Sequence, residues 1–336
     1  MLDQAKVREV KERNKLAVLA LPNVVGVGVG YKVKAQAATG ELSVVALVRR
    51  KVPRARLEPE NLVPASMDGV ATDVVEVGDL VPLQARTGRW RPAPGGVSIG
   101  HLRVTAGTLG CVVFDRPTGE RLFLSNNHVL ANSNDARKGD SILQPGAADG
   151  GRDPEDVIAR LERFRPIRFS SGPGQCALAR AVVAVWNRVA RLVGSHHRLE
   201  TIWTDPQASN QVDAAVARPI DDQALQEEIL EIGRVTGTTE ARLGMGVRKS
   251  GRSTGLTTGE ITILETTVDV GYGPERTARF EGQIVTTPMS SPGDSGSLLV
   301  AADSPLAVGL LFAGSDQASI HNPIQAVLDG LEVRFG

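Results

Sequence analysis

From residue 97 onward, short runs of Val, Ile, Leu and Thr alternate with glycine-rich turns. Such runs, bounded by turn residues, are typical of β-strands, and many of them at this spacing indicate a barrel or a sandwich. The 36 glycines and 19 prolines among 336 residues supply the turns and disfavour a helical bundle. The predicted strands are 107–114, 121–125, 141–144, 156–164, 212–216, 244–249, 259–267, 278–285, 297–301 and 307–313.

The N-terminal part of the chain has a different pattern. Residues 3–20 repeat apolar side chains among charged ones, which predicts an amphipathic helix, and Pro22 ends it. Valine-rich runs predict three strands, at 23–33, 42–52 and 70–77. We therefore expect a small α+β domain at 1–81, a proline- and glycine-rich linker at 82–96 and a mainly β domain at 97–336.

One segment of the β domain is predicted to be helical. Residues 176–193 are almost wholly apolar, and their polar side chains recur at spacings of one helical stripe: Arg180, Asn187, Arg188 and Arg191. The segment is too short and too striped to span a membrane. We expect a helix packed on the barrel surface, with an oligomer contact or an active-site lid as the alternative.

The charges and cysteines exclude several classes of partner. Lys and Arg total 38, as do Asp and Glu, so the net charge is zero and predicts neither a nucleic acid nor a membrane partner. No spacing of Cys, His and Asp is typical of a metal site, and we predict no metal or other cofactor. The charged N-terminus has no apolar signal region, so a cytoplasmic location is expected. Cys111 and Cys176 are predicted to be buried free thiols.

The clearest chemical motif is Ser-Pro-Gly-Asp-Ser-Gly-Ser at 291–297, directly before an apolar strand. A serine between glycines in a tight loop can project its hydroxyl while backbone N–H groups converge on one point. Ser295 is therefore a candidate nucleophile, although a glycine-rich hairpin turn would have the same composition.

A serine nucleophile needs a base, and the base needs an orienting acid. Of the five histidines, His128 stands at the end of an apolar strand, where a side chain emerges from a rigid element. Asp213 lies within the apolar run 211–217, where an unpaired carboxylate would be costly to bury. Each residue alone could equally have a structural role.

Together, three segments resemble the chymotrypsin/trypsin-like serine peptidases: Leu-Ser-Asn-Asn-His-Val-Leu at 124–130, Val-Asp-Ala-Ala-Val at 212–216 and Gly-Asp-Ser-Gly at 293–296. They occur in that family's order, and the resemblance covers residues 97–336. Two further runs, 249–259 and 307–315, are similar to the second-barrel hairpin of bacterial members and to the strand lining the specificity pocket. The Asn-Asn-His and Gly-Asp-Ser-Gly-Ser forms, without a secretion signal, resemble the intracellular narrow-leaf type.

The resemblance implies a mainly β fold with two barrels, a cleft between them and an inserted helix. His128 would be the general base and then the general acid, Asp213 the orienting carboxylate and Ser295 the nucleophile. The N–H groups of Gly293 and Ser295 would form the oxyanion hole. The implied activity is that of a serine endopeptidase acting on proteins or peptides through an acyl-enzyme.

The sequence also departs from the family. The residue six before Ser295, implied to form the pocket floor, is Met289, which favours an apolar or small substrate residue. The other residues implied to bind substrate are Phe312, Ala313 and Gly314. Phe312 stands where the family commonly has a serine that supports the catalytic aspartate, so the support of Asp213 is an open question.

Other functions fit less well. A catalytically weak, protease-like scaffold that acts by partner binding is the main alternative, because of Phe312. An α/β-hydrolase would need glycine at position 297, which is Ser297, and the Gly-Val-Gly-Val-Gly run at 26–30 lacks the spacing of a dinucleotide loop. Residues 1–81 are expected to serve assembly or regulation, with an inhibitory prodomain as the alternative. A homo-oligomer would form through that domain or through 176–193.

Overall fold

The computed structural model describes residues 3–34, 37–78, 85–174, 176–273 and 276–336. Its helices are α1 Gln4–Leu19, α2 Asn127–Leu130, α3 Ala177–Leu192 and α4 Ile324–Leu331. The strands are β1 Val24–Lys34, β2 Ala37–Val48, β3 Ser66–Met67, β4 Val70–Glu76, β5 Ala93–Gly95, β6 Ser98–His101, β7 Gly107–Thr108, β8 Cys111–Asp115, β9 Arg121–Ser125, β10 Ser141–Leu143, β11 Val157–Phe164, β12 Ser171–Pro173, β13 Ile202–Thr204, β14 Ala215–Pro219, β15 Leu225–Ile229, β16 Gly233–Arg234, β17 Gly237–Thr238, β18 Gly246–Gly251, β19 Gly255–Gly271, β20 Thr277–Thr286, β21 Leu298–Ala301, β22 Leu306–Gly314, β23 Ser319–Pro323 and β24 Val333–Arg334.

The chain divides into two units, Met1–Gln84 and Ala85–Gly336. The first is a four-stranded sheet, in the order β1-β2-β4-β3, covered by α1. Val7 and Val10 lie one helical turn apart on α1 and are fully buried against Val44 and Val70 of the sheet. The helix and the three predicted strands are therefore all present in this unit.

The second unit contains two large sheets, as expected for a two-barrel core. One has the order β24-β8-β9-β14-β11-β10-β6-β7, and the other β13-β12-β20-β19-β18-β21-β22-β17, with β23 paired to β20 and β22. Fully buried side chains fill each of them, for example Phe123 and Ile142 in the first and Ile261 and Leu299 in the second. The mainly β fold class predicted from the sequence is confirmed.

The predicted linker differs from what the structure shows. Residues 82–84 lie outside the described residues, whereas 85–96 form part of the second unit. Strand β5 pairs in parallel with β15, and a Cβ on Gly95 would come within 2.5 Å of the carbonyl oxygen of Gly110. Glycine is thus required here for close packing of two backbone segments rather than for a loose connection.

The inserted helix is present as α3, between the paired strands β12 and β13. Its apolar side chains are largely exposed, which differs from the predicted packing on the barrel; Ala190 is its one buried residue. Both cysteines are free thiols, but Cys176, at the N-cap of α3, is exposed rather than buried. Among the described residues, no helix has the length and apolarity to cross a bilayer.

Candidate active site

His128 lies in the short helix α2, directly after strand β9 ends. The two buried asparagines before it hold this turn in place: Asn126 Nδ2 donates to the backbone carbonyl of Asp213, and Asn127 Nδ2 to that of Arg165, each at 2.7 Å. Because these bonds tie the turn to the chain just before β14 and just after β11, the imidazole is carried by a rigid turn.

The imidazole of His128 contacts the carboxylate of Asp213, 85 residues further along the chain. Nδ1 lies 2.6 Å from Oδ2, and the backbone N–H of His128 donates to Oδ1 at 3.2 Å. Asp213 is fully buried, and its own N–H donates to Oδ1 of Asn322 at 3.0 Å. Since an ionised carboxylate can only accept, it holds the proton on Nδ1 and leaves Nε2 to accept a proton from a nucleophile.

Asp213 receives a further hydrogen bond from Tyr272, which follows strand β19. The phenol oxygen lies 2.7 Å from Oδ2 of Asp213. Burial, followed by the charge of Asp213 and this bond, raises the pKa of Tyr272 well above 10, so the phenol stays protonated and donates. The open question about support for Asp213 is thereby answered, because a tyrosine from a distant hairpin supplies a hydroxyl in the absence of a serine at position 312.

The loop that carries Ser295 is fastened to strand β7. The backbone N–H of Thr108 donates to the carbonyl of Ser295 at 2.8 Å, and its hydroxyl donates to that of Gly293 at 2.9 Å. Gly296 has φ +95°, and a Cβ there would lie 2.1 Å from Oγ of Ser125. Glycine is therefore required at 296 for both the left-handed backbone and the close approach of the loop to β9.

The same strand brings the loop next to the helix of His128. A Cβ on Gly107 would lie 2.5 Å from a methyl group of Val129 and 3.0 Å from the carbonyl oxygen of Ser295. Ser295 is half-buried. Among the described residues, no hydrogen bond joins it to His128. Such bonds are often long in ligand-free enzymes and tighten when substrate binds.

The backbone of the 291–297 loop leaves two amides unpaired. The N–H groups of Asp294, Gly296 and Ser297 donate to backbone carbonyls. Those of Gly293 and Ser295 have no acceptor within the described parts of the chain. These two free N–H groups, one of them that of Ser295 itself, can stabilise an oxyanion that develops next to the serine hydroxyl.

Behind Ser295, the loop is held by a fully buried ion pair. Oδ2 of Asp294 lies 3.0 Å from Nζ of Lys249 on strand β18, and neither side chain is exposed. Asp294 also accepts from the hydroxyl of Thr254 at 2.7 Å and from the N–H groups of Ser253 and Ser291. Burial alone would raise the pKa of Asp294, but the Thr254 bond and the Lys249 charge hold it below its usual value.

A cavity of about 340 Å³ adjoins Ser295. It is lined by Ser290, Ser291, Pro292, Ser295, Leu311, Ala313, Gly314, Ser315 and Asp316. Ala313 and Gly314 thus lie where the sequence places them. Asp316 lies in the exposed loop after β22 and adds a carboxylate that the sequence motifs do not place at the pocket.

Two predicted pocket residues lie elsewhere. Met289 is buried among Val247, Ile261 and Leu299 of the second sheet, and it does not line the cavity. Phe312 points into another cluster, where its ring lies 4.7 Å from that of Phe280. Both corrections have one cause: the apolar side chains gain more from burial in the sheet than from lining a wet pocket.

Two serine proteases of known structure match about three quarters of this chain at low sequence identity. A Nocardiopsis protease is 16% identical, with a TM-score of 0.46, over 72% of this chain and 98% of its own. A glutamic acid-specific serine protease is 18% identical, with a TM-score of 0.46, over 73% of this chain and 100% of its own. No protein-family model matches the chain.

Two curated relatives have higher sequence identity to this chain, over shorter segments. Streptogrisin-D of Streptomyces griseus is 32% identical over 134 residues, which are 35% of this chain and 33% of that protein. Serine protease 2 of Streptomyces fradiae is 40% identical over 81 residues, 24% of this chain and 43% of that protein. The match thus spans less than half the length of either relative. The resemblance predicted from the sequence motifs is confirmed: over these segments the chain is similar to serine peptidases of the trypsin/chymotrypsin-like kind.

Proposed function

We propose that this chain is a serine endopeptidase that uses Ser295, His128 and Asp213. The observation that carries the proposal is the 2.6 Å contact between Nδ1 of His128 and a fully buried Asp213, on a turn packed against the Ser295 loop. The scaffold alternative depended on Phe312 leaving Asp213 without a hydroxyl donor. Because Tyr272 donates to that carboxylate, the enzyme is favoured.

In the proposed reaction, Oγ of Ser295 attacks the carbonyl carbon of a peptide bond while Nε2 of His128 takes its proton. The resulting oxyanion accepts hydrogen bonds from the N–H groups of Gly293 and Ser295. His128 then gives the proton to the leaving amine, and an acyl-enzyme forms on Ser295. A water activated by the same imidazole releases the acid and restores the serine.

The substrate side chain would enter the cavity next to Ser295. Its wall combines Leu311, Ala313 and Pro292 with serine hydroxyls, and Asp316 lies in the exposed loop at its side. An ion pair with an exposed carboxylate contributes about 0–1 kcal/mol to binding. The wall residues therefore dominate the choice of substrate side chain and favour an apolar or small one.

Four further statements stay predictions: the narrow-leaf subtype, a cytoplasmic location, an oligomer and an assembly role for residues 1–81.

A fluorophosphonate probe tests the proposed nucleophile. We expect a covalent adduct on the full-length protein, located at Ser295 by peptide mass spectrometry, and none on the Ser295→Ala variant. Ser291→Ala is the matched control, because Ser291 lies in the same loop and is exposed. An unlabelled parent protein, or equal labelling of the Ser295→Ala variant, would contradict the assignment.

Tyr272 is expected to act as a positioning residue through Asp213. Tyr272→Phe removes a hydrogen bond to a charged group, worth about 1.5–3 kcal/mol, so the rate of phosphonate labelling should fall about 10- to 100-fold. The measurement is the rate of phosphonate labelling, recorded across pH. Tyr31→Phe changes the other tyrosine of the chain, which is exposed, and this variant should label like the parent. Equal rates and pH profiles for the two variants would refute the role.

A further inference from the structure

Helix α3 exposes a continuous apolar face. Its large side chains are between 49% and 81% exposed: Leu178, Val182, Val185, Trp186, Val189, Leu192 and, just beyond the helix, Val193. At 100° per residue these positions cover an arc of about 120° on one side of the helix. These side chains form one contiguous apolar patch, and such a patch indicates an interaction site, whereas single exposed apolar residues do not.

This face is not the one by which the helix rests on the protein. Ala190 is buried and Ala179 and Val183 are half-buried, so small residues on another stripe make the contact. Asn187 then fastens the returning chain, since its Nδ2 donates to the carbonyl of Leu199 and its Oδ1 accepts from the N–H of Leu199, each at 2.9 Å. The residues that the structure describes therefore leave the apolar face uncovered while they hold the helix.

The charged side chains of this segment are all basic. Residues 176–199 contain four arginines and no Asp or Glu, although the whole chain has no net charge. Arg180, Arg188 and Arg191 form no ion pair with any residue that the structure describes. Arg188 and Arg191 share a shallow depression of about 510 Å³ with Leu192, where two guanidinium groups adjoin the apolar face. Guanidinium groups match the geometry of phosphate oxygens.

We propose that α3 binds the surface of a bilayer containing anionic phospholipids, with its apolar face among the acyl chains and its arginines at the phosphates. A helix of 16 residues with separate apolar and basic sides lies in the interface rather than across it. A second copy of the helix would cover the apolar face but leave the arginines without an anionic partner, and a nucleic acid would leave the apolar face in water. The zero net charge, which predicts no membrane partner, conceals this local basic surface.

Vesicle co-sedimentation of the full-length protein tests the proposal. We expect binding to vesicles of phosphatidylglycerol and phosphatidylcholine that weakens with salt, and much less binding to phosphatidylcholine alone. The Arg188→Gln/Arg191→Gln double variant should partition about 30-fold more weakly. Val182→Gln/Val189→Gln should lose at least about tenfold, since two buried apolar side chains are removed. Arg242→Gln and Leu243→Gln change exposed residues outside α3 and should bind like the parent.

The outcomes separate the alternatives. The variants all lie on exposed positions, and an unchanged thermal unfolding midpoint verifies their fold. Absence of binding to phosphatidylglycerol vesicles overturns the proposal, as does equal binding by the α3 variants and the two controls. Concentration-dependent dimerisation without lipid, abolished by Val182→Gln/Val189→Gln, would assign the face to a second copy and overturn it as well.

Discussion

Replacing Asp213 by asparagine is expected to lower kcat/KM for peptide hydrolysis by about 10⁴-fold while the fold is retained. Both carboxylate oxygens of Asp213 face donors: the backbone N–H of His128 at Oδ1, and Nδ1 of His128 and the phenol of Tyr272 at Oδ2. An asparagine must direct its NH₂ group at one of these sides. When it faces Nδ1, the imidazole proton moves to Nε2, which can then no longer accept the proton of Ser295.

The measurement is kcat/KM on a substrate first identified from a peptide library. Asp303→Asn, at an exposed aspartate of the same unit, serves as the matched control and should retain the parent rate. A loss of less than tenfold in Asp213→Asn, with an unchanged unfolding midpoint, would show that the carboxylate does not orient the base.

The second large effect is expected at Lys249. Lys249→Met leaves the carboxylate of Asp294 fully buried without its cation, which costs about 3–5 kcal/mol of unfolding free energy. The displaced carboxylate also disturbs the 291–297 loop, because Asp294 orders that loop through its bonds to Ser253, Thr254 and Ser291. Phosphonate labelling should therefore fall together with stability.

A double-mutant cycle separates the charge from the packing. Lys249→Met combined with Asp294→Asn removes both charges, so urea unfolding should recover part of the stability lost in Lys249→Met alone. If the single Lys249 variant loses less than about 1 kcal/mol, the buried pair does not hold the loop.

The parts of the site that could be predicted from sequence are those with a local pattern. His128 ends an apolar run, Asp213 interrupts another, and Ser295 stands between glycines, so each is conspicuous among its own neighbours. Lys249 had a usable signal too, because it alternates with Val247 on the buried side of β18. Lysine on the buried face of a strand requires a partner, and Asp294 is the partner.

The remaining features depend on tertiary contacts. Tyr272 lies 59 residues from Asp213 in sequence, and nothing near it in the chain indicates that the β19–β20 hairpin brings it there. The family resemblance implies that Met289 and Phe312 belong to the pocket, but the packing of the sheet determines where their side chains lie. The helical period predicts α3, yet a period does not tell which apolar face another element covers.

The Lys249–Asp294 pair also bears on how a peptidase of this kind would be kept latent. The cation that orders the nucleophile loop comes from a strand of the same sheet, 45 residues earlier in the chain. No newly released terminus is needed to supply that charge, so the loop acquires its shape as the unit folds. Under the proposed mechanism, restraint on hydrolysis would then act where substrate enters the cavity next to Ser295, since the ion pair that orders the loop forms with the fold itself.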